Sequence, residues 1–167
     1  LLRVLRKEKA NVQVAMSKSA FKFVGETSFS ALSGHDVITE IFPSKKGETG
    51  LEHVNFSIDL DAIIVAPATA NILCKAANGV ADEIVSTILS ICDVPVLFAP
   101  AMNFRMWDNE GTIKAVDMLR KRNHIIISPG EGQLASLHTG KGRLAELNVI
   151  MNHIRKIFKK KLILENK

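Results

Sequence analysis

The apolar positions along the chain predict four strands. Apolar and polar residues alternate over residues 11–16, and a period of two is typical of a strand with one buried face. Two short, continuous apolar runs over residues 62–66 and 94–99 end at prolines, as do many strands that are buried on both faces. Residues 124–128 predict a fourth strand. Such doubly buried strands indicate a parallel sheet.

Between the strands, the apolar spacing changes to that of helices. Helices are predicted over residues 69–78, 81–91, 110–122 and 146–158. Strands that alternate with helices are typical of an α/β fold, so we predict a three-layer α/β architecture with a mostly parallel sheet. We expect one domain over residues 1–158, and a basic tail or the start of a linker to a second domain over residues 159–167.

The chain begins with the pattern of a helix. Leu1, Leu2 and Leu5 precede a charged run over residues 6–8, which predicts the second half of an amphipathic helix. The first turn between strand and helix in an open α/β sheet commonly binds a phosphate at the start of the helix. Because the chain begins with the second half of a helix, we expect the first strand of the fold and this turn to precede Leu1.

Charge is concentrated towards one end of the chain. The 167 residues include 22 lysines and arginines and 17 acidic residues, which gives a formal net charge of +5. Residues 155–167 contain six of the basic residues and one acidic residue, so the remainder is neutral. A basic segment with a single aromatic residue is typical of a solvated helix end or a linker, and we predict no nucleic-acid partner.

Apolar length and cysteine content indicate a soluble, cytoplasmic protein without a membrane partner. The apolar stretches around residues 62–70 and 94–102 are far shorter than the roughly 20 residues that span a bilayer. No secretory signal pattern is present at residue 1. Cys74 and Cys92 lie in predicted apolar helices, and we expect both thiols to be buried, reduced and inert.

Candidate binding residues follow two of the buried strands, in residues 67–71 and 100–107. Ligands of open α/β sheets bind beyond the carboxyl ends of the strands. Thr69, Asn71 and Asn103 supply a hydroxyl and two amides there, and the small residues around them admit a flat ligand. The alternative explanation is structural: helix caps at Thr69 and Asn103, and methionines and a tryptophan in the core.

Three motifs in this part of the chain closely resemble the flavin-containing cysteine decarboxylases. They are Ala-Pro-Ala-Thr-Ala-Asn at 66–71, Ala-Asn-Gly-Val-Ala-Asp at 77–82, and Pro-x-Met-Asn-x-x-Met-Trp at 100–107. The likeness runs from residue 1 to about residue 146. It is greatest to the branch that decarboxylates phosphopantothenoylcysteine, which forms the flavoprotein half of bifunctional coenzyme A biosynthesis proteins.

The resemblance implies a three-layer, Rossmann-like flavoprotein fold with FMN as the cofactor. We predict no metal site, because the spacing of the histidines offers no metal cluster. The family's phosphate-side segment is matched by Ser17, Lys18 and Ser19. Its flavin-contacting turns are matched by Thr69, Ala70, Asn71 and Ala101. Hydroxyls and backbone N–H groups at helix starts suit a phosphate, and alanines leave room for the flavin ring. Without the resemblance, Ser17 and Ser19 are equally well explained as caps of the turn that follows them.

The resemblance also implies a carboxy-lyase reaction. The implied substrate is 4'-phosphopantothenoylcysteine, which is oxidised to a thioaldehyde, loses CO₂ and is reduced again to give 4'-phosphopantetheine. His53 matches the family's active-site histidine, and Asn103 matches the residue that holds the substrate carboxylate. The predicted substrate-binding residues are Asn103, Met106, Lys141 and Arg143. A homotrimer or homododecamer is the implied assembly.

Ser136 departs from the family pattern, because the coenzyme A branch has a cysteine at this position. A serine hydroxyl is a far weaker acid than a thiol, whose pKa is about 8.5, so proton donation to the last intermediate is weakened. Three outcomes stay open: His138 donates instead, the oxidised product is trapped, or turnover ends at an enethiol as in peptidyl-cysteine decarboxylases. A non-catalytic, FMN-binding regulatory subunit is the alternative outside enzymes, and a flavin prenyltransferase is a less favoured one.

Overall fold

The structure is a computed structural model, and it describes residues 1–41, 60–134 and 138–165. By backbone contacts the chain divides into two compact units. The first unit comprises Leu1–Ile58 and Ala81–Cys92, and the second comprises Asp59–Val80 and Asp93–Lys167. The elements in chain order are α1 (Leu2–Lys7), a 3₁₀ turn (Ala20–Lys22), α2 (Glu26–Ser33), β1 (Ile63–Ala68), α3 (Ala70–Asn78), α4 (Ile84–Ile91), β2 (Val96–Pro100), α5 (Phe104–Trp107), α6 (Glu110–Lys121), β3 (Ile125–Ile126), β4 (Gly130–Gln133), β5 (Thr139–Arg143) and α7 (Leu147–Glu165).

In the first unit, the helix predicted at the start of the chain is present as α1, which buries Leu5. The strand predicted over residues 11–16 is reduced to one parallel bridge. The N–H of Ile38 donates to the carbonyl of Val14, and the N–H of Met16 donates to the carbonyl of Ile38, each at 2.9 Å. A longer ladder does not form among the described residues, because only Ile38 offers them backbone partners on that side.

Helix α4 of the first unit begins three residues later than predicted. Its start is set by a reciprocal capping box: Glu83 accepts from the Ser86 N–H at 3.0 Å, and the Ser86 hydroxyl accepts from the Glu83 N–H at 3.2 Å. This pair satisfies two of the backbone donors that a helix start leaves unpaired. The residues before Glu83 therefore remain outside the helix.

The second unit is built on a three-stranded parallel sheet in the order β1-β2-β3. Ile63 pairs with Val96 on one side of the central strand, and Leu97 pairs with Ile125 on the other. All five residues of β2 are buried, which explains its continuous apolar sequence. The predicted α/β class with a parallel sheet is confirmed.

Helices α3, α6 and α7 supply the rest of this unit's core. Helix α3 packs against α6, and their side chains Leu73 and Leu119 are almost fully buried. Burying one such leucine contributes about 1.5–3 kcal/mol. Helix α7 extends to Glu165 rather than ending near residue 158, because no glycine or proline interrupts the good helix formers that follow.

An antiparallel hairpin of β4 and β5 follows the sheet, and the apolar pattern does not predict it. Its strand sequences, Gly-Glu-Gly-Gln and Thr-Gly-Lys-Gly-Arg, contain few residues with high strand propensity. What places the hairpin is its close packing on the rest of the unit. Glycines allow this approach, as described below.

Candidate functional site

The two strand ends with candidate binding residues lie side by side. The N–H of Ala101, directly after β2, donates to the carbonyl of Ala68 at the end of β1 at 3.0 Å. Thr69 is the next residue after Ala68, and Asn103 lies two residues after Ala101. Both polar residues are therefore at the same edge of the sheet, where parallel strands end.

Both residues also cap helices, as the structural alternative requires. Thr69 Oγ1 accepts from the Ile72 N–H at 3.4 Å at the start of α3, and Asn103 Oδ1 accepts from the Arg105 N–H at 2.9 Å at the start of α5. These caps hold each side chain by its oxygen. A Thr hydroxyl and an Asn amide also carry hydrogen-bond donors, so capping and ligand binding are compatible roles.

The hairpin docks directly on the turn that carries Asn103. The Met102 N–H donates to the Gly142 carbonyl at 2.9 Å. A Cβ at Gly142 would overlap the Met102 carbonyl oxygen, and a Cβ at Gly140 would lie 2.9 Å from the Cβ of Phe104. Only glycine at these two positions allows so close an approach.

Lys141 and Arg143 flank Gly142 on strand β5, and both are exposed. Because successive side chains of a strand point to opposite faces, they lie on the face opposite to the one that approaches Phe104. The Arg143 side chain passes over Gly132 of the same hairpin. A Cβ added at Gly132 would lie 3.1 Å from this side chain. The structure thus places both predicted substrate-binding cations on the hairpin's outer face.

A cleft of about 460 Å³ opens beside these turns in the second unit. Helix α3 contributes Ala70, Asn71 and Cys74 to its walls. The segment from α5 to the start of α6 contributes Arg105, Met106, Asn109 and Thr112. Two residues predicted to contact flavin, Ala70 and Asn71, and one predicted to bind substrate, Met106, thus line a common space.

Four cleft residues were not predicted as site residues: Cys74, Arg105, Asn109 and Thr112. Cys74 is half-buried rather than buried, and its thiol lies 4.0 Å from the Gly111 carbonyl oxygen. Cys92 in the first unit, also predicted to be buried, is half-buried too. Helical spacing could have indicated it, because Cys74 follows Ala70 by four residues and so shares a face of α3. Arg105 occupies a variable position of the methionine-tryptophan motif, which carries no signal by itself.

Other predicted site residues fall elsewhere. In the first unit, Ser17 is half-buried, and Lys18 and Ser19 are exposed. Ser19 stands at the N-cap of the 3₁₀ turn but makes no side-chain capping bond, so capping does not account for it. His53 and Ser136 lie outside the described residues. In the second unit, the ring of His138 lies 6.2 Å from that of Phe104, beside the docked hairpin.

One titrating group has a shifted pKa that bears on stability. Burial, together with the positive charge of Arg122, lowers the pKa of His124 below 6.5. The His124 ring meets the edge of Phe98 with the centroids 6.1 Å apart.

Within the described ranges, no three His, Cys, Asp or Glu side chains are grouped so as to bind a metal. No helix in the described part of the chain has the length and apolarity needed to cross a bilayer.

Sequence comparison relates the chain to known proteins. The family model described as Flavoprotein matches residues 1–159. The chain is 41% identical over 149 residues to the coenzyme A biosynthesis bifunctional protein CoaBC of Bacillus subtilis (strain 168). That alignment covers 89% of this chain and 36% of the relative, so the chain spans about a third of the length of the curated protein that it matches.

Solved structures share the fold. A cysteine-to-serine mutant of PPC decarboxylase, complexed with pantothenoylaminoethenethiol, matches with a TM-score of 0.79 and 28% identity, over 95% of this chain and 88% of that chain. The FMN-dependent cysteine decarboxylase SpaF matches with a TM-score of 0.78 and 28% identity, over 93% of this chain and 86% of that chain.

Proposed function

The chain belongs to the Flavoprotein family, and from this premise we propose that it decarboxylates 4'-phosphopantothenoylcysteine to 4'-phosphopantetheine with FMN as cofactor. This places it among the carboxy-lyases of coenzyme A biosynthesis. The resemblance to flavin-containing cysteine decarboxylases, inferred above from three motifs, is confirmed at the level of the family. We further propose a cytoplasmic homotrimer or homododecamer whose partner is its small-molecule substrate.

The observation that carries the proposal is the hydrogen bond from Ala101 to Ala68, which joins the two motif turns. The residues at this edge fit FMN. Ala70 and Ala101 are too small to obstruct a flat ring, while Thr69 and Asn71 present an exposed hydroxyl and amide. These four residues would hold the flavin ring, and Ser17, Lys18 and Ser19 would hold its phosphate. Bound FMN supplies the electron acceptor and donor for the cysteine side chain of the substrate.

Asn103 would orient the carboxylate that is lost. Its amide group can donate two hydrogen bonds to a carboxylate without neutralising the charge, so the group is held while its departure stays possible. The cap to the Arg105 N–H fixes the side-chain oxygen and thereby the direction of the amide. Met106, which is 47% exposed, offers an apolar surface next to it.

The proton that completes the product would come from the segment of the chain that precedes strand β5. Ser136 holds the family's cysteine position, and His53 is the second proposed proton carrier. His138 is a further candidate proton donor, because its ring lies beside Phe104, next to the turn that carries Asn103. An imidazole exchanges protons near neutral pH, which a serine hydroxyl does not.

A second candidate end product is the enethiol that remains after CO₂ is lost. It is favoured by one observation: the PPC decarboxylase that carries serine in place of a cysteine is complexed with an aminoethenethiol. In this chain Ser136 stands where the family resemblance places that cysteine. The two candidates share every step up to the loss of CO₂ and differ only in the final proton and electron transfer.

Incubation of the purified, FMN-loaded protein with 4'-phosphopantothenoylcysteine tests the proposal. We expect one CO₂ per substrate consumed, measured by trapped radiolabel, and a product identified by mass spectrometry. 4'-Phosphopantetheine supports the complete reaction, and a product lighter by two hydrogens supports the enethiol. A yellow protein that releases no CO₂ would contradict both and favour the regulatory subunit.

A further inference from the structure

The side chain of Phe104 is where the hairpin rests on the turn that carries Asn103. A Cβ at Gly140 would lie 2.9 Å from the Phe104 Cβ and 3.1 Å from its Cγ, so the backbone of β5 contacts this side chain directly. The guanidinium carbon of Arg105 lies 5.8 Å from the centroid of the same ring, a cation–π distance. A strand backbone and a cation therefore hold the ring in place.

His138 meets this ring from the hairpin. It lies two residues before Gly140, and side chains two residues apart on a strand point to the same face. Its backbone is fixed, because the Leu134 N–H donates to the His138 carbonyl at 2.8 Å. The rings of His138 and Phe104 lie 6.2 Å apart at an angle of 50°, within the range of about 4.5–7 Å that attractive aromatic pairs adopt. The ladder thus places the backbone of His138, and Phe104 orients its imidazole.

The imidazole of His138 is also available to a ligand. The residue is exposed, and no hydrogen bond or ion pair of its ring is found with the described residues. The other histidines described in this unit are engaged elsewhere. Nδ1 of His153 lies 2.9 Å from the Val149 carbonyl oxygen, and the ring of His124 packs against Phe98 in the sheet. His138 can therefore give up a proton at this turn and regain it from water.

We propose that Phe104 is a positioning residue for the last proton transfer of the reaction, because it holds the His138 imidazole at the turn that carries Asn103. The inference rests on the proposed function, which supplies the intermediate that is protonated. The His138 imidazolium donates its proton to the carbon that has lost CO₂. A C–H bond forms there, the C=C π bond of the enethiolate breaks, and a thioaldehyde results. The thioaldehyde then takes a hydride, at the carbon bonded to sulfur, from the flavin that the first step reduced.

The position of Phe104 in the chain suits this role. The carbon that receives the proton is the one that carried the carboxylate, and Asn103 would hold that carboxylate before it is lost. The proton donor must therefore act close to Asn103. Phe104 directly follows Asn103 and is the residue that the His138 ring contacts. One short turn would thus orient both the group that leaves and the acid that replaces it.

The test measures how the decarboxylated substrate is divided between two products. FMN-loaded variants are incubated with 4'-phosphopantothenoylcysteine, and mass spectrometry gives the ratio of 4'-phosphopantetheine to enethiol. This ratio does not depend on how fast CO₂ is released. Phe104→Leu should lower it about 10-fold, because a displaced acid transfers its proton more slowly. Phe104→Tyr keeps the aromatic ring and should stay within about twofold of the wild-type ratio.

Phe158→Leu is the matched control, because it makes the same substitution at a phenylalanine of α7 that is 36% exposed. It should leave the ratio unchanged. His138→Gln should lower the ratio at least as much as Phe104→Leu does. Adding Phe104→Leu to His138→Gln should cause no further loss, because both changes act on one imidazole. A further loss in the double variant, or a ratio that Phe104→Leu leaves unchanged, would overturn the positioning role.

A spectroscopic readout tests the ring contact without turnover. Proton NMR resonances of the His138 ring, assigned by their loss in His138→Gln, should shift in Phe104→Leu and stay in place in Phe158→Leu. Resonances that Phe104→Leu does not shift would overturn the contact.

Failure of the inference is distinguishable from failure of the proposed function. A wild-type protein that releases CO₂ but yields only the enethiol keeps the decarboxylation and overturns the role of Phe104. A wild-type protein that releases no CO₂ overturns the proposed function, and the proton transfer with it.

Discussion

Single residues decide whether the hairpin can dock over the Asn103 turn. Gly142 is buried, and its carbonyl accepts from the Met102 N–H while its Cα faces the Met102 carbonyl oxygen. A glycine-rich segment is normally predicted as a loop. The pattern of glycines was visible in the sequence, but the surface against which they pack was not, so the docked hairpin could not be predicted.

Gly142→Ala is expected to destabilise the protein by about 1–3 kcal/mol, because its Cβ would overlap a backbone atom that must move. Urea unfolding followed by circular dichroism measures the loss. Gly130→Ala is the control: Gly130 lies in the same hairpin, and its added Cβ would come no closer than 3.7 Å to another atom. An equal loss of stability in both variants would contradict the close approach at Gly142.

Ser136→Cys is expected to change the product rather than the first steps of the reaction. A thiol with a pKa of about 8.5 donates a proton far more readily than a serine hydroxyl. If the wild-type protein releases an enethiol, the variant should convert at least about 10-fold more of it to 4'-phosphopantetheine, as measured by mass spectrometry, with CO₂ release unchanged. A product ratio unaffected by the substitution would exclude residue 136 as the proton donor, and His138→Gln then becomes the informative variant.

His124 makes stability depend on pH. Burial lowers its pKa in the folded protein below the ordinary value of 6.5, and Arg122 adds to the effect. The unfolded chain therefore binds the proton first, so the free energy of unfolding falls as the pH drops from 6.5 through the lower, folded pKa. Well above 6.5 both states are neutral, and His124 adds no pH dependence.

His124→Gln should therefore lose less stability between about pH 8 and about pH 5 than the wild-type protein, in urea unfolding at both values. Arg122→Gln should give a smaller improvement, because burial is the larger cause. If the wild-type and His124→Gln proteins lose the same free energy over this range, His124 is not the group responsible.

Among the elements, those with local signals were predicted best. Helix α3 was predicted from residue 69 to 78 and runs over Ala70–Asn78, because Thr69 caps its start and Gly79, with φ of 69°, ends it. The bridge at Ala15 and the two-residue strand β3 are shorter than predicted. Strand length depends on which partners are available in space, and the sequence pattern does not contain that information.

Thr69→Ala removes the side-chain oxygen that caps α3 and is expected to lower the free energy of unfolding by about 1 kcal/mol. Thr69→Ser keeps the oxygen and should remain within a few tenths of the wild-type value. Equilibrium denaturation of the flavin-free protein measures both without interference from the cofactor. A loss in Thr69→Ser as large as in Thr69→Ala would mean that the methyl group, and not the cap, stabilises the helix.

Across the molecule, the alternation of the three parallel strands with helices α3, α4, α6 and α7 was predictable from apolar spacing, whereas α2, α5 and the hairpin were not. The cofactor followed from the family resemblance. The cleft was not predictable, because Cys74 and Thr112 are far apart in sequence and meet only through the packing of α3 on α6. Arg105 stands at a variable position of its motif, so only the packing shows that it lines the cleft. The cleft therefore depends on tertiary structure, whereas the turns proposed to bind flavin are local features of strand ends.

A flavoprotein should be stabilised as a whole by its cofactor. A ligand that binds only the folded state at 100 times its Kd adds about 2.7 kcal/mol to the free energy of unfolding. For a chain of this size, each kcal/mol raises Tm by about 2–4 °C, so saturation with FMN should raise Tm by about 5–10 °C. Differential scanning calorimetry of flavin-stripped protein, with and without FMN, measures the shift, and adenosine monophosphate serves as a control for a phosphate on another ring system.

Because the shift depends on binding and not on turnover, it is expected for an enzyme and for a regulatory subunit alike. A Tm that FMN leaves unchanged would contradict the cofactor assignment itself.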